Sequence, residues 1–148
     1  MIKQISIKTR FGWISALENN TKIFEIKFGK LKKQTKSPTL NNFKKNLLKF
    51  LNKKKSYIKA NCKIEGSKMQ KKIWSELSRI KKGKTKSYGD IAKKYNISPR
   101  YVGKICGQNK LLLFIPCHRV IRSDGSLGGF TSAGGLKLKK KLLEFEKN

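Results

Sequence analysis

Cys117 and His118 are adjacent in the segment Ile115-Pro116-Cys117-His118-Arg119-Val120, and His118 is the only histidine among 148 residues. A thiol attacks as its anion, and a free cysteine with a pKa of about 8.5 is only slightly ionised at neutral pH. An imidazole that draws off the proton, itself oriented by a carboxylate, would supply the missing reactivity. Helical phase selects the carboxylate. In a helix expected over Lys137 to Glu146, Leu142 and Leu143 face the core. Glu146 lies four and three residues further on and shares their face, whereas Glu144 points elsewhere. An inward carboxylate needs a partner, because burying it alone is costly, and His118 is the candidate. Side chains of neighbours in an extended segment point to opposite sides, so Cys117 and His118 need a bridging water or a bend between them. The plainer alternative is a small buried cysteine that fills space in a core.

The elements that must hold this group follow from pattern. The apolar run Leu111 to Ile115 reads as a strand ending in a turn fixed by Pro116, and Ser123 to Gly129 as a Gly/Ser-rich exit. Upstream, Ser67 caps a helix whose stripe is Met69, Ile73, Leu77 and Ile80 and which stops at Gly83. Ser87-Tyr88-Gly89-Asp90-Ile91-Ala92 starts a short helix, and Asn96-Ile97 turns the chain. Ser98-Pro99 then opens another, with Tyr101, Val102, Ile105 and Cys106 inward and an end near Gly107. Two short helices with a tight turn read as a helix-turn-helix, a weak signal by spacing alone. Residues 1–55 read as a small α+β unit. Strands are expected over Ile2–Ile7, Phe11–Leu17 and Ile23–Phe28, with a turn at Asn19-Asn20. A polar link, Lys30 to Pro38, leads to a helix carrying Leu40, Phe43, Leu47, Leu48 and Leu51 behind a Thr39 cap. Residues 56–66 connect it to the second domain, 67–148.

Composition narrows the function. The chain has 37 Lys+Arg against 8 Asp+Glu, a net charge of +29. Such an excess points to a polyanion, most simply nucleic acid; a general lysine bias is the alternative. Five basic residues are arginine, and Arg100, Arg119 and Arg122 fall close together, where a planar fork has a use that lysine lacks. Cys62, Cys106 and Cys117 are widely spaced and odd in number, which argues for a reducing, cytoplasmic setting and against a disulfide framework. No signal-peptide core or membrane-spanning run is evident, and one histidine without paired cysteines assembles no zinc site. No cofactor and no metal are expected.

Ile115 to Val120, with Ser123-Asp124-Gly125-Ser126-Leu127-Gly128-Gly129, resembles the active-site signature of the O6-alkylguanine-DNA alkyltransferases, or methylated-DNA–protein-cysteine methyltransferases. Ser87-Tyr88-Gly89, Arg100-Tyr101-Val102-Gly103 and Asn109 fit the same family pattern, and the resemblance runs from about Gly66 to Glu146. It implies an α+β fold in which a ribonuclease-H-like N-terminal unit, without ribonuclease activity, precedes a mostly helical domain with a helix-turn-helix. It implies DNA repair by direct reversal: irreversible, single-turnover transfer of an alkyl group from O6-alkylguanine in double-stranded DNA to Cys117, by a monomer. Cys117, His118, Glu146, Tyr88 and Asn109 would be catalytic, with Tyr88 serving the departing guanine and Asn109 bracing the loop. Ser98, Arg100, Tyr101, Lys104 and Arg119 would meet DNA, Arg100 filling the stack vacated by the flipped nucleotide. Leu112, Val120, Phe130, Thr131 and Ser132 would line the substrate pocket, with the Cys117 and Val120 carbonyls reading the guanine amino group. Phe130 stands where many members have tyrosine, Leu112 where a proline is common, and the loop after Phe130 is slightly longer.

Three rivals belong to other classes. A non-catalytic alkyltransferase-like protein would lack the cysteine that is present here. A plain helix-turn-helix DNA-binding protein would account for the charge and paired helices but not for Cys-His. A cysteine hydrolase would draw its Cys and His from separate elements.

Overall fold

A computed structural model describes residues 1–130 and 134–148. The chain is mixed α and β, with five α-helices among the described residues and two small sheets. It divides into two compact units, Met1–Ile64 with Lys110–Phe114, and Glu65–Asn109 with Ile115–Asn148. The return of Lys110–Phe114 to the first unit is a feature that boundaries drawn along the sequence do not contain.

In the first unit β1 (Ile2–Thr9), β2 (Gly12–Asn19) and β3 (Lys22–Phe28) form an antiparallel meander. Its register opposes Ile5 to Ala16 and Ile7 to Ile14, and Ile14 to Phe28, placing apolar side chains in one layer. Helix α1 (Pro38–Leu51) lays Leu40, Phe43, Leu47, Phe50 and Leu51 into that core. Its cap is Ser37, not Thr39: the Ser37 hydroxyl accepts from the Leu40 N–H and donates to the buried Glu18 carboxylate. Pro38 then takes the first helical position, where a missing N–H costs nothing. The free edge of β3 is covered twice. Ile23 exchanges backbone bonds with Asn61 and Lys63, and Ile26 does so with Lys110 and Leu112. Leu111 to Ile115 is therefore no strand. Leu111 makes one bridge to Ile26 and the chain then turns at Leu113, whose φ is 71°.

The second unit contains α2 (Lys68–Ser78), α3 (Tyr88–Tyr95), α4 (Pro99–Gly107) and α5 (Gly135–Lys147). Ser67 and Gln70 form a reciprocal capping box on α2. Ser87 caps α3, which ends in a left-handed Asn96, and Ser98 with Pro99 opens α4 two residues later. Val102, Ile105 and Cys106 are buried as their spacing predicts, but Tyr101 is 41% exposed and faces out. Trp74 on α2 ties α4 in place, its indole N–H donating to the Ile105 carbonyl at 3.1 Å. Glu76, 2% exposed, gathers Arg79, Lys86, Lys94 and the Tyr95 hydroxyl, joining α2 to α3 and to β4 (Lys86–Ser87). Those bonds from Lys94 and Lys86 hold its carboxyl at about 2 against the opposing effect of burial.

Candidate active site

Cys117, His118 and Arg119 form a single 3-10 turn between Pro116 and β5 (Val120–Ile121), which pairs in parallel with β4. The turn replaces an extended segment, so the two neighbouring side chains are separated by a bend. Cys117 N–H donates to the Ile115 carbonyl at 2.8 Å, and Val120 N–H closes the turn on the Cys117 carbonyl. The Asn109 amide donates to the Ile115 carbonyl at 2.8 Å and hydrogen-bonds the thiol. One side chain thus sets both the loop and its sulfur. Burial pushes the Cys117 thiol up; the Asn109 bond and the nearby Lys139 ammonium pull the other way.

His118 is 1% exposed and its Nε2–H donates to Glu146 Oε2 at 3.0 Å. That bond fixes the tautomer, leaving Nδ1 as the nitrogen able to accept a proton. Burial lowers the His118 pKa although the Glu146 carboxylate opposes the shift, so the resting imidazole is neutral. Glu146 is buried on α5, and Glu144 is exposed. Burial alone would raise the Glu146 carboxyl, but bonds from His118 and Arg119 bring it down to about 2. Gly83, with φ 83°, lets the chain pass beneath: a Cβ there would lie 3.1 Å from the Glu146 carbonyl oxygen.

Arg119 corrects an expectation. Assigned by sequence to DNA, it is 6% exposed and turned inward. Its Nε and Nη2 donate to Glu146 at 2.9 and 2.8 Å, and Nη1 donates to the Ile80 carbonyl at 2.6 Å. The planar fork is used, but on the carboxylate that holds His118.

Lys139 is the residue that pattern reading passed over. It is fully buried on α5, and its Nζ donates to the carbonyls of Val120 at 2.7 Å, Leu127 at 2.5 Å and Gly129 at 3.2 Å. It also donates to the Tyr88 hydroxyl at 3.3 Å. With no carboxylate among these partners, burial lowers its pKa to about 8. The Val120 carbonyl, expected to read a base, is thus taken by an internal cation. Tyr88 itself is pushed up to about 12, by burial first and then by the two thiols Cys106 and Cys117, so it is a neutral hydroxyl at physiological pH. Gly128, with φ 74°, backs its ring: a Cβ there would lie 2.8 Å from Tyr88 Cε2.

Ser98, Arg100, Tyr101 and Lys104 are exposed at the start and along one side of α4. Phe130 is half-buried, and Leu112 belongs to the first unit. Thr131 and Ser132 lie outside the described residues. Among those residues no group of three His, Cys, Asp or Glu side chains could hold a metal ion, and no helix is long and apolar enough to cross a membrane.

Residues 68–148 match the family described as 6-O-methylguanine DNA methyltransferase, DNA binding domain. The chain is 51% identical over 80 residues to the methylated-DNA–protein-cysteine methyltransferase of Methanocaldococcus vulcanius, covering 54% of this chain and 48% of that protein. It is 32% identical over 149 residues to the namesake from Metallosphaera sedula, covering 99% of this chain and 94% of the relative. The alignment therefore spans about half the length of the first relative and nearly all of the second. The crystal structure of Mycobacterium tuberculosis O6-methylguanine methyltransferase superposes with a TM-score of 0.84 at 25% identity, over 99% of this chain and 93% of that one.

Proposed function

Because the chain belongs to the 6-O-methylguanine DNA methyltransferase family, we propose that it repairs O6-alkylguanine in double-stranded DNA by moving the alkyl group irreversibly to Cys117. The observation that carries this reading is the buried series Asn109, Cys117, His118, Glu146 within the region matched to the family. Neutral His118 takes the thiol proton through Nδ1, by way of a water or a small movement of the turn, and Glu146 stabilises the imidazolium that results. The thiolate forms a bond to the alkyl carbon as the carbon–O6 bond breaks, and that electron pair passes into the guanine ring. Tyr88 meets the charge with a hydrogen bond from its O–H, and the released guanine takes a proton from solvent while the His118 imidazolium returns its own to solvent. Its oxygen already accepts from Lys139, which turns the hydroxyl hydrogen away from the ammonium and makes it a better donor. The thioether has no leaving group of comparable quality, so each molecule acts once.

Helices α3 and α4 serve as the helix-turn-helix, with Ser98, Tyr101 and Lys104 against the DNA backbone and Arg100 entering the stack. The first unit takes the ribonuclease-H-like role of a packing domain, and the protein works as a cytoplasmic monomer. The packing role falls to Met1–Ile64 with Lys110–Phe114, rather than to residues 1–55 alone, and the DNA-binding and transfer roles to Glu65–Asn109 with Ile115–Asn148, rather than to 67–148 behind a 56–66 linker.

The deciding experiment is incubation with an O6-methylguanine duplex followed by peptide mass spectrometry. One methyl per protein on Cys117 is expected. Repeated turnover would end the single-use mechanism, and methyl on Cys62 or Cys106 would move the site. Arg100→Ala should slow repair of duplex lesions about tenfold or more while leaving transfer from free O6-methylguanine base almost unchanged, since only a duplex has a gap to fill. Equal losses on both substrates would show that Arg100 supports the pocket instead.

A further inference from the structure

The first unit carries 17 lysines and Arg10 against two carboxylates, Glu18 and Glu25. Glu18 is 3% exposed and engaged by the Ser37 hydroxyl and the Thr21 N–H, and Glu25 is half-buried. That unit therefore exposes no fully accessible carboxylate. A preference for lysine over arginine leaves charge unchanged; what makes this surface basic is the missing acids, which a lysine bias does not explain. The unit also lies outside the region matched to the family's DNA-binding domain, 68–148.

The charge is densest at the C-terminal end of α1, where Lys44, Lys45, Lys49, Lys53, Lys54, Lys55 and Lys59 follow within two turns of helix and the loop after it. All are exposed except Lys49, which is half-exposed. The loop is ordered by its backbone. Lys53 is left-handed with φ 61°, and Lys54 and Lys55 both donate to the Lys49 carbonyl, at 2.8 and 3.3 Å. Asn46 reaches across to the Lys59 carbonyl at 2.8 Å and pins the far end. Like charges one turn apart, as at Lys45 and Lys49, weaken a helix, and the helix C-terminus favours cations only within its last turn. Neither effect accounts for seven. Bilayer insertion is disfavoured because α1 turns its apolar face, Leu40, Phe43, Leu47, Phe50 and Leu51, into the core.

We infer that the end of α1 and its lysine loop form a second, sequence-independent binding surface for the phosphate backbone of duplex DNA. The inference rests on the reading that the protein works on DNA, and it adds a partner contact in a unit otherwise left to packing. Such a surface adds affinity and one-dimensional search without base choice, through counterion release.

The test uses the full chain with Lys45, Lys49, Lys53, Lys54 and Lys55 changed to glutamine. A second variant changes Lys8, Lys22, Lys32, Lys33 and Lys36 to glutamine, removing equal charge elsewhere on the unit. Binding to an undamaged 20-base-pair duplex is followed by anisotropy across a sodium chloride series. The slope of log K against log salt should shrink by about 3 in the first variant and by about 1 or less in the second. Transfer from free O6-methylguanine base and the melting temperature should match the unmodified protein in both. Equal slope changes in the two variants would overturn the proposal in favour of diffuse charge, and an unchanged slope in the first would overturn it outright. Loss of binding to phosphatidylserine vesicles with an unchanged DNA slope would overturn it in favour of a membrane. Methyl transfer to Cys117 is scored separately on unmodified protein, so failure of the repair reading and failure of this surface give different results.

Discussion

Glu146→Gln is expected to slow alkyl transfer to Cys117 by on the order of a hundredfold or more, as loss of a base-orienting carboxylate does elsewhere, and to lower the melting temperature in the same step. Glutamine keeps the shape but removes the charge that stabilises imidazolium at His118. It also strips Arg119 of the carboxylate that two of its nitrogens meet, leaving a buried guanidinium with only the Ile80 carbonyl among those partners. Breaking a buried pair from one side costs about 3 kcal/mol or more. The pH dependence has a definite sign. The folded Glu146 carboxyl lies at about 2, below its ordinary 4.5. Its contribution is therefore present above about 4.5 and fades as pH falls toward 2, a component the variant should lack. Glu144→Gln, on the exposed face, should change neither rate nor stability. The checks are single-turnover rate per folded molecule, thiol pKa and melting curves for both variants. A damaging Glu144→Gln with a silent Glu146→Gln would refute the relay.

Lys139→Met should have opposite effects on the two measurements: slower transfer, by about tenfold or more, and a higher melting temperature. The downward pKa shift to about 8 means that the carbonyl bonds do not fully offset the burial of an ammonium, so an apolar side chain of similar length relieves a standing cost. What is lost is the donor that orients Tyr88 and draws in the Val120, Leu127 and Gly129 carbonyls. The unmodified protein should lose activity as pH rises past about 8, where Lys139 gives up its proton, and the variant should show no such decline. Between about 8 and the ordinary 10.5, the unfolded chain binds the extra proton, so stability should rise with pH in that window. Unchanged transfer in Lys139→Met would reduce this lysine to a structural plug.

The two α5 residues show why part of the site is legible in sequence and part is not. Glu146 can be found from helical phase because carboxylates are scarce in this chain and an inward one stands out. Lys139 has the same phase, three and seven residues before Leu142 and Glu146, yet it sits in the run Lys137, Lys139, Lys140, Lys141, where one more lysine carries no signal. Arg119 is rare enough to be noticed, but rarity tells only that a planar fork is wanted and not which way it points. The apolar run Leu111–Ile115 suits a strand or any buried segment equally well; a turn at Leu113 and a return to the first unit depend on distant pairing that periodicity does not encode. The Thr39 cap failed on a local detail, since Pro38 favours the first helical position and so moves the cap back to Ser37.

Order of synthesis gives the placement of these groups on α5 a further meaning. Cys117, His118 and Arg119 leave the ribosome before Lys139 and Glu146, so a nascent chain that has exposed the thiol still lacks both the carboxylate and the cation. Until α5 docks, Cys117 has beside it a histidine without its orienting carboxylate, and only the slight ionisation of an ordinary cysteine. Under the proposed single use of each molecule, reactivity that waits for α5 protects the thiol until that helix has docked.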